Sequence, residues 1–504
     1  MSGNLFATIE SRIADATRPF LHTEGGAAYG YGDMLAASGR YANALVSLGV
    51  KPGDRVAVQT DKHPDSVWLY LGCLRTGSIY LPLNPAYTPA EVGYFVSDAE
   101  PAVVICEPRG IAALRTGLGQ SATRIETLDA TGSGSLQTLA NTMPAAFSTI
   151  EAGKDDLAAI LYTSGTTGRS KGAMITHENL RSNALALVDI WQFTTSDVLL
   201  HALPIFHTHG LFVAINTVML SGSSMVFLPK FELDPVLAAL PNATAMMGVP
   251  TFYSRLLSDN RFHRAAADHM RLFVSGSAPL SAETHRAFTA RTGHAILERY
   301  GMTETNMITS NPYDGERRPG AVGFPLPGVS VRIADPDTGK PLPQGGIGVI
   351  ELKGPNVFKG YWRMPEKTAQ EFRADGWFIT GDLGFIDPDG YLTISGRAKD
   401  LIISGGFNVY PAEVENALDA LPSVGESAVI GLPHADFGEA VTAVVTARDG
   451  QKIDENAIRS ELESVLAKFK IPKRVLVKQA LPRNSMGKVQ KNTLREEYSK
   501  LYQD

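Results

Sequence analysis

The chain has 504 residues, 44% hydrophobic and 19% charged, a globular profile too long for one core, so two or more domains are expected. Its 46 Lys plus Arg against 52 Asp plus Glu give a net charge of −6, which argues against a dedicated nucleic-acid binder. Two cysteines, Cys73 and Cys106, with no CxxC and no His-Cys cluster, argue against a disulfide framework or structural zinc and fit a reducing compartment, with cytoplasm as the default.

The N-terminal "MSGNLFATIESRIADATRP" alternates apolar and charged residues like a surface helix and lacks the apolar core of a signal peptide. Short apolar runs then alternate with segments of helical spacing. "DRVAVQT", "PAVVICE", "LAAILYT", "SSMVFLP", "ATAMMGVP" and "RLFVSG" read as strands, and "SVWLYLGCLRTG" and "SAETHRAFTARTG" as helices. That rhythm predicts an α/β architecture with buried, largely parallel strands. The longest apolar stretch, "GLFVAINTVMLSGSSMVFL", is broken by Asn216, Thr217 and a serine-glycine turn, and reads as helix, turn and strand with no membrane span.

From about Val329 the texture changes. "VSVRIADPDTGKPLPQGGIGVIELKG" and "GFIDPDGYLTISGR" read as β-hairpins. A small α+β region with helices in "AEVENALDAL" and "AIRSELESVLAKF" follows. The expected fold is a large multi-layer domain over 1–398, with parallel sheets and a β-rich subdomain, and a small mobile α+β domain over 399–504.

"YTSGTTGRSK", residues 162–171, stands behind the apolar "LAAIL". Gly165 and Gly168 allow the backbone to turn N–H groups toward one point. Thr163, Ser164, Thr166 and Thr167 add hydroxyls, and Lys171 adds charge, so the segment reads as an anion cradle for phosphate. The Walker A spacing fails, because Lys171 is followed by Gly172. "GRSKG" matches the nucleophile elbow of serine hydrolases around Ser170, but that elbow needs a strand running straight into the serine.

The segment "ILYTSGTTGRSKGAMITHENL" resembles the phosphate loop of adenylate-forming enzymes, the group of acyl-CoA synthetases, luciferases and peptide-synthetase adenylation domains. "PIFHTHG", "VSGSAPL", "ERYGMTET", "GWFITGDLG", "SGRAKDLIISGGFNVYPAEVE" and "LPRNSMGK" resemble the other family motifs in order, over nearly the whole chain. One departure is that the loop has Arg169 and Ser170 where the family often has Pro.

The resemblance implies two half-reactions with ATP, Mg²⁺ and coenzyme A: a carboxylate attacks the α-phosphate, then a thiol displaces AMP after the small domain rotates. It implies that Lys488 bridges carboxylate and α-phosphate, Thr303 touches that phosphate, and Glu304, with Thr166, holds Mg²⁺. Ser277, Ala278, Pro279, Glu298, Arg299, Tyr300, Gly301 and Met302 fall in the adenine and carboxylate segments, with Tyr300 stacking on adenine. Asp382 and Arg397 would hold the ribose, Lys399 and Asp400 form the hinge, Gly405, Gly406 and Phe407 meet the pantetheine, and His207 closes the thiol tunnel. Lys488 further matches a lysine whose reversible acetylation switches related synthetases off, implying an acetyltransferase and deacetylase as partners.

Residues at the family's acyl-pocket positions are polar: Thr208, His209, Ser277 and Arg299, with Arg255 and Met302 nearby. A buried arginine calls for an anion, and its fork suits a carboxylate. The substrate is therefore expected to be a small dicarboxylic acid, a pattern similar to malonyl-CoA synthetases that also accept methylmalonate. A structural salt bridge from Arg299 to Glu298 or Glu316 is the competing reading. A carrier protein as thiol acceptor and a Ser170 hydrolase are the alternatives in function; no carrier segment follows Asp504, which favours free CoA.

Overall fold

The computed structural model describes residues 3–118, 123–163, 170–434, 436–484 and 487–502, and the following statements concern these residues. Three sheets carry the fold. In the first, strands Arg124–Thr127, Val103–Cys106, Arg55–Gln59, Ile79–Pro82 and Leu157–Thr163 run parallel in that order. Their centres are runs of buried Val, Ile, Leu and Ala, as a sheet covered on both faces requires. Lys171–Thr176 then folds back antiparallel, with Thr163 opposite Lys171.

The second sheet has thirteen strands and changes character midway. Val198–His201, Ser224–Phe227, Ala245–Gly248, Leu272–Ser275 and Leu297–Met302 are parallel, and their C-terminal ends open onto one edge, where ligands of such sheets collect. From Leu297–Met302 onward the neighbours Asn306–Ser310, Ala321–Pro325, Leu392–Arg397, Phe378–Ile386, Gly348–Lys353 and Ser330–Ala334 are antiparallel. The changeover falls at Arg299, Tyr300 and Glu304. Gly301 makes it possible: a Cβ there would stand 2.1 Å from the Asn306 carbonyl oxygen.

Arg397 closes the last strand paired to the large sheet. One 3-10 turn, Ala398–Asp400, intervenes, and Ile402–Ser404 belongs to a five-stranded sheet of its own. This small sheet has a separate apolar cluster of Val429, Val441, Val445, Val414 and Leu462. Arg448 of the small domain grips Glu283 of the large one with both guanidinium nitrogens.

One local reading is corrected and one is kept. The N-terminal helix Leu5–Arg12 is the expected amphipathic surface helix: Leu5, Phe6 and Ile9 are fully buried, Glu10, Ser11 and Arg12 are exposed, and Asn4 caps it while donating to the carbonyls of Leu74 and Ile150. The second small-domain helix stops at Leu462, well short of Phe469, because the chain beyond it turns, with the Ser464 hydroxyl taken by the Glu461 carbonyl.

Candidate active site

The nucleotide side is built on paired strands. Asp382 and Arg397 are register partners on neighbouring strands, and Arg397 Nε lies 2.8 Å from Asp382 Oδ1. The Tyr300 hydroxyl donates to Asp382 Oδ2 at 2.5 Å, and the Asp382 N–H goes to Thr380 Oγ1 at 3.0 Å. Burial and the adjacent carboxylate push the Tyr300 phenol well up, so it stays a donor. Its ring packs in the core with its hydroxyl holding the aspartate, a role the sequence did not announce.

Glu304 is buried, and its Oε1 accepts from the Tyr361 hydroxyl at 2.9 Å. Burial raises its carboxyl pKa, against Tyr361, Lys171 and Arg397, which lower it. A buried carboxylate with one neutral donor is a fitting ligand for a hard cation, whose other ligands would be phosphate oxygens. No cluster of three or more His, Cys, Asp or Glu able to hold a metal occurs among the described residues. Lys171 lies over the Tyr361 ring at 4.2 Å, with Glu371 Oε1 at 3.6 Å from its ammonium.

Lys488 keeps a face open to solvent, yet it reaches the same cleft. Desolvation lowers its pKa, helped by Arg397 and Lys399 and opposed by Asp382 and Asp400. Its loop is fixed by the Asn484 side chain, which accepts the Lys488 N–H at 3.0 Å. Gly487, at φ 74°, passes so close to the large domain that a Cβ would stand 3.3 Å from Thr251 Oγ1. Thr303, His207, Phe206, Tyr162 and Tyr87 line a small cavity between these groups. His207 is neutral, its pKa lowered by burial to about 4.

The acid side is different. Arg299 is only 4% exposed, and its Nε and Nη2 have no hydrogen-bond partner among the described residues. Burial pulls its pKa down to about 9, which leaves it a cation at neutral pH. The guanidinium lies flat against Gly276, where a Cβ would stand 2.3 Å from Cζ. His209 Nδ1 is 3.3 Å from Ser277 Oγ, while His209 Nε2, Thr208 Oγ1 and Ser275 Oγ are buried without partners among the described residues. Burial first, then the charge of Arg299, keeps His209 neutral. Ser277 is held at φ 70°, a left-handed conformation that costs a non-glycine residue about 1–3 kcal/mol.

The competing salt bridges are overturned. Strand alternation turns Glu298 to the opposite face from Arg299, where its carboxylate accepts the Gly320 N–H at 3.2 Å and burial raises its pKa to about 8. Glu316 is bound to Arg318 at 2.9 Å. Arg255 is likewise corrected: helix Pro250–Leu257 buries Tyr253 and Leu256, leaving Arg255 on its exposed side and out of the buried cluster. Ser170 lies between the two strands of a hairpin, with its carbonyl taken by Tyr94, which is not the strand-to-helix turn of a nucleophile elbow.

Of the remaining residues, Met302 is half-buried against the core, Ala278 is half-buried and Pro279 is exposed. Asp400 is bound to Arg495 at 2.6 Å, and Lys399 has its pKa lowered by desolvation. Gly405 and Gly406 turn the chain at φ 59° and 81°, and the exposed Phe407 stacks on Phe469 at 4.7 Å. Ser164, Gly165, Thr166, Thr167 and Gly168 lie outside the described residues. Two further groups had no motif to mark them: Tyr361, and Asn306, buried at φ 48° with both amide atoms unpartnered among the described residues.

A family model for AMP-binding enzymes matches residues 12–362, and a model for the AMP-binding enzyme C-terminal domain matches 413–488. Feruloyl-CoA synthase of Amycolatopsis sp is 36% identical over 482 residues, covering 94% of this chain and 95% of that protein. Malonate--CoA ligase of Arabidopsis thaliana is 33% identical over 546 residues, covering 98% of this chain and 89% of that protein. The crystal structure of ATP-bound MatB from Rhodopseudomonas palustris is 58% identical with a TM-score of 0.98, each chain covered completely. The chain belongs to the AMP-binding enzymes, and it is an AMP-forming acyl-CoA ligase.

Proposed function

We propose that the acid is malonate, with methylmalonate also accepted, and that the product is its CoA thioester. The observation that carries this reading is the buried Arg299 guanidinium, whose Nε and Nη2 are without a partner among the described residues. A protein tolerates an unpaired buried cation where a ligand completes it. The second carboxylate of malonate would take the Arg299 fork, with Ser277 and neutral His209 as further donors.

In the first step an oxygen of the other carboxylate forms a bond to the α-phosphorus, and the bond from that phosphorus to the pyrophosphate oxygen breaks. Lys488 places a cation between the two anions, where negative charge builds. Thr303 lines the same cavity as His207, and by the family pattern it would touch the α-phosphate. A divalent cation at Glu304, and at Thr166 by the family pattern, neutralises triphosphate charge when bound. In the second step the CoA sulfur bonds to the acyl carbon, the carbon–oxygen bond to AMP breaks, and the thiol proton leaves to solvent. Met302, half-buried against the core, is the flexible side chain by which a methyl group on the α-carbon would be accommodated. Acetylation of Lys488 would remove the cation and silence the first step.

Pyrophosphate release with Mg-ATP and CoA, measured across malonate, methylmalonate, succinate, sulfoacetate, acetate, octanoate and coumarate, tests the reading. Malonate is expected to give the highest kcat/KM, methylmalonate the next. Faster turnover of acetate or octanoate than of malonate would overturn it.

A further inference from the structure

Lys62 follows strand Arg55–Gln59 of the first sheet, and His201 ends strand Val198–His201 of the second. The Lys62 Nζ lies 2.9 Å from His201 Nδ1, donates to the His201 carbonyl at 2.8 Å, and stands 4.2 Å from the centre of the Phe227 ring. Among the described residues no carboxylate pairs with it. A lysine donating to Nδ1 fixes the histidine as the neutral tautomer with its proton on Nε2. That Nε2–H reaches the Gly210 carbonyl at 2.8 Å.

Gly210 lies in the first turn of the wide-wound helix His209–Ile215. Such turns are rare and concentrate at functional sites. Gly210 is also pressed against the opposite wall of its loop: a Cβ would stand 2.0 Å from the Pro204 carbonyl oxygen. The segment carrying His207, Thr208 and His209 is thus clamped at its C-terminal end between Pro204 and the Lys62–His201 pair.

We infer that Lys62, acting through His201, is a positioning residue that holds the His207–Gly210 segment in register with Arg299 and Ser277 for acid binding. The inference rests on the reading that this segment lines the acid pocket. Loss of Lys62 frees the His201 ring to take its other tautomer, and the Gly210 carbonyl then loses its donor. His209 can shift relative to Arg299, and displacements of that order weaken a two-point contact strongly.

The test compares K62M, H201Q and H201A, assayed with whichever acid the wild-type enzyme turns over best. A wrong acid therefore shows in the wild-type panel, while a wrong role for Lys62 shows only in the variants. K62M is expected to raise the KM for the acid by about tenfold or more, leaving the KM for ATP within about twofold. The His201 ring nitrogens, read by ¹⁵N NMR, should lose the fixed Nε2–H signature in K62M. H201Q supplies both an amide oxygen for Lys62 and an N–H for the Gly210 carbonyl, and is expected to keep the acid KM that H201A loses. An unchanged acid KM in folded K62M, equal rises in both KM values, or H201Q as damaging as H201A would overturn the inference. Should K62M lack a cooperative melt, K62Q is judged by the same readouts.

Discussion

Two halves of one cleft treat their polar groups in opposite ways. On the nucleotide side the carboxylates have donors within the protein: Asp382 has Arg397, Tyr300 and Thr380, and Glu304 has Tyr361. On the acid side the polar atoms are left open: Arg299 Nε and Nη2, His209 Nε2, Thr208 Oγ1 and Ser275 Oγ. A ribose and a triphosphate are the same for every substrate, so a prearranged site serves them. The acid differs from one enzyme of this kind to another, and the unanswered donors describe what it must bring.

The largest effect expected is on Lys488, which joins the two halves. Lys488→Ala should slow pyrophosphate release by about 10²–10³-fold, as loss of one preorganised charge does in comparable sites. Its thioester-forming half-reaction, started from synthetic acyl-adenylate and CoA, should change far less. Unchanged pyrophosphate release would place Lys488 outside the adenylation chemistry.

The comparison sharpens in stability. Arg397→Gln leaves Asp382 without its cation and should lower Tm, with a cost of about 1–2 kcal/mol after allowance for the open face of Arg397. Arg299→Met removes a buried cation that has no carboxylate partner among the described residues, and should hold or raise the ligand-free Tm. Differential scanning calorimetry of the two variants separates these cases, and a lower Tm for Arg299→Met would mean that the cation is answered after all.

A last effect, on the pH dependence of stability, concerns Glu298. Burial raises its carboxyl pKa from the ordinary carboxylate range to about 8 in the folded protein. The folded state holds a proton that the unfolded chain has already released across that range. Its stabilising effect is therefore complete below the unfolded value and lost as pH rises through about 8. Glu298→Gln should remove that slope, reducing the drop in Tm between about pH 5 and pH 8 by about 4 °C. An unchanged slope would show that Glu298 is ionised in the fold.

Much of this was legible in the chain. The positions of the strands, the hairpin texture after Val329 and the motifs that carry Asp382, Glu304 and Lys488 are local patterns, and local patterns survive without coordinates. What the sequence hid is relational. Nothing in "ILERYGMTE" says whether Arg299 meets Glu298, because that depends on which face of the strand each takes. Arg255 shares a helix with the inward-facing Tyr253, and a two-residue offset turned it away. Tyr361 lies far from Glu304 in the chain and carries no motif of its own. The N-terminal helix shows only half of an apolar face in sequence, and its burial follows from the Asn4 bonds to Leu74 and Ile150.

The central claim is that Arg299 is left open for a second carboxylate. The most direct measurement is the ratio of kcat/KM for malonate to that for propionate in the wild-type enzyme and in Arg299→Gln. The expected ratio strongly favours malonate and falls by about a hundredfold in the variant, with propionate little changed, as when a buried charged partner is removed. A ratio unaltered by the substitution, or malonate and propionate falling together, would contradict it.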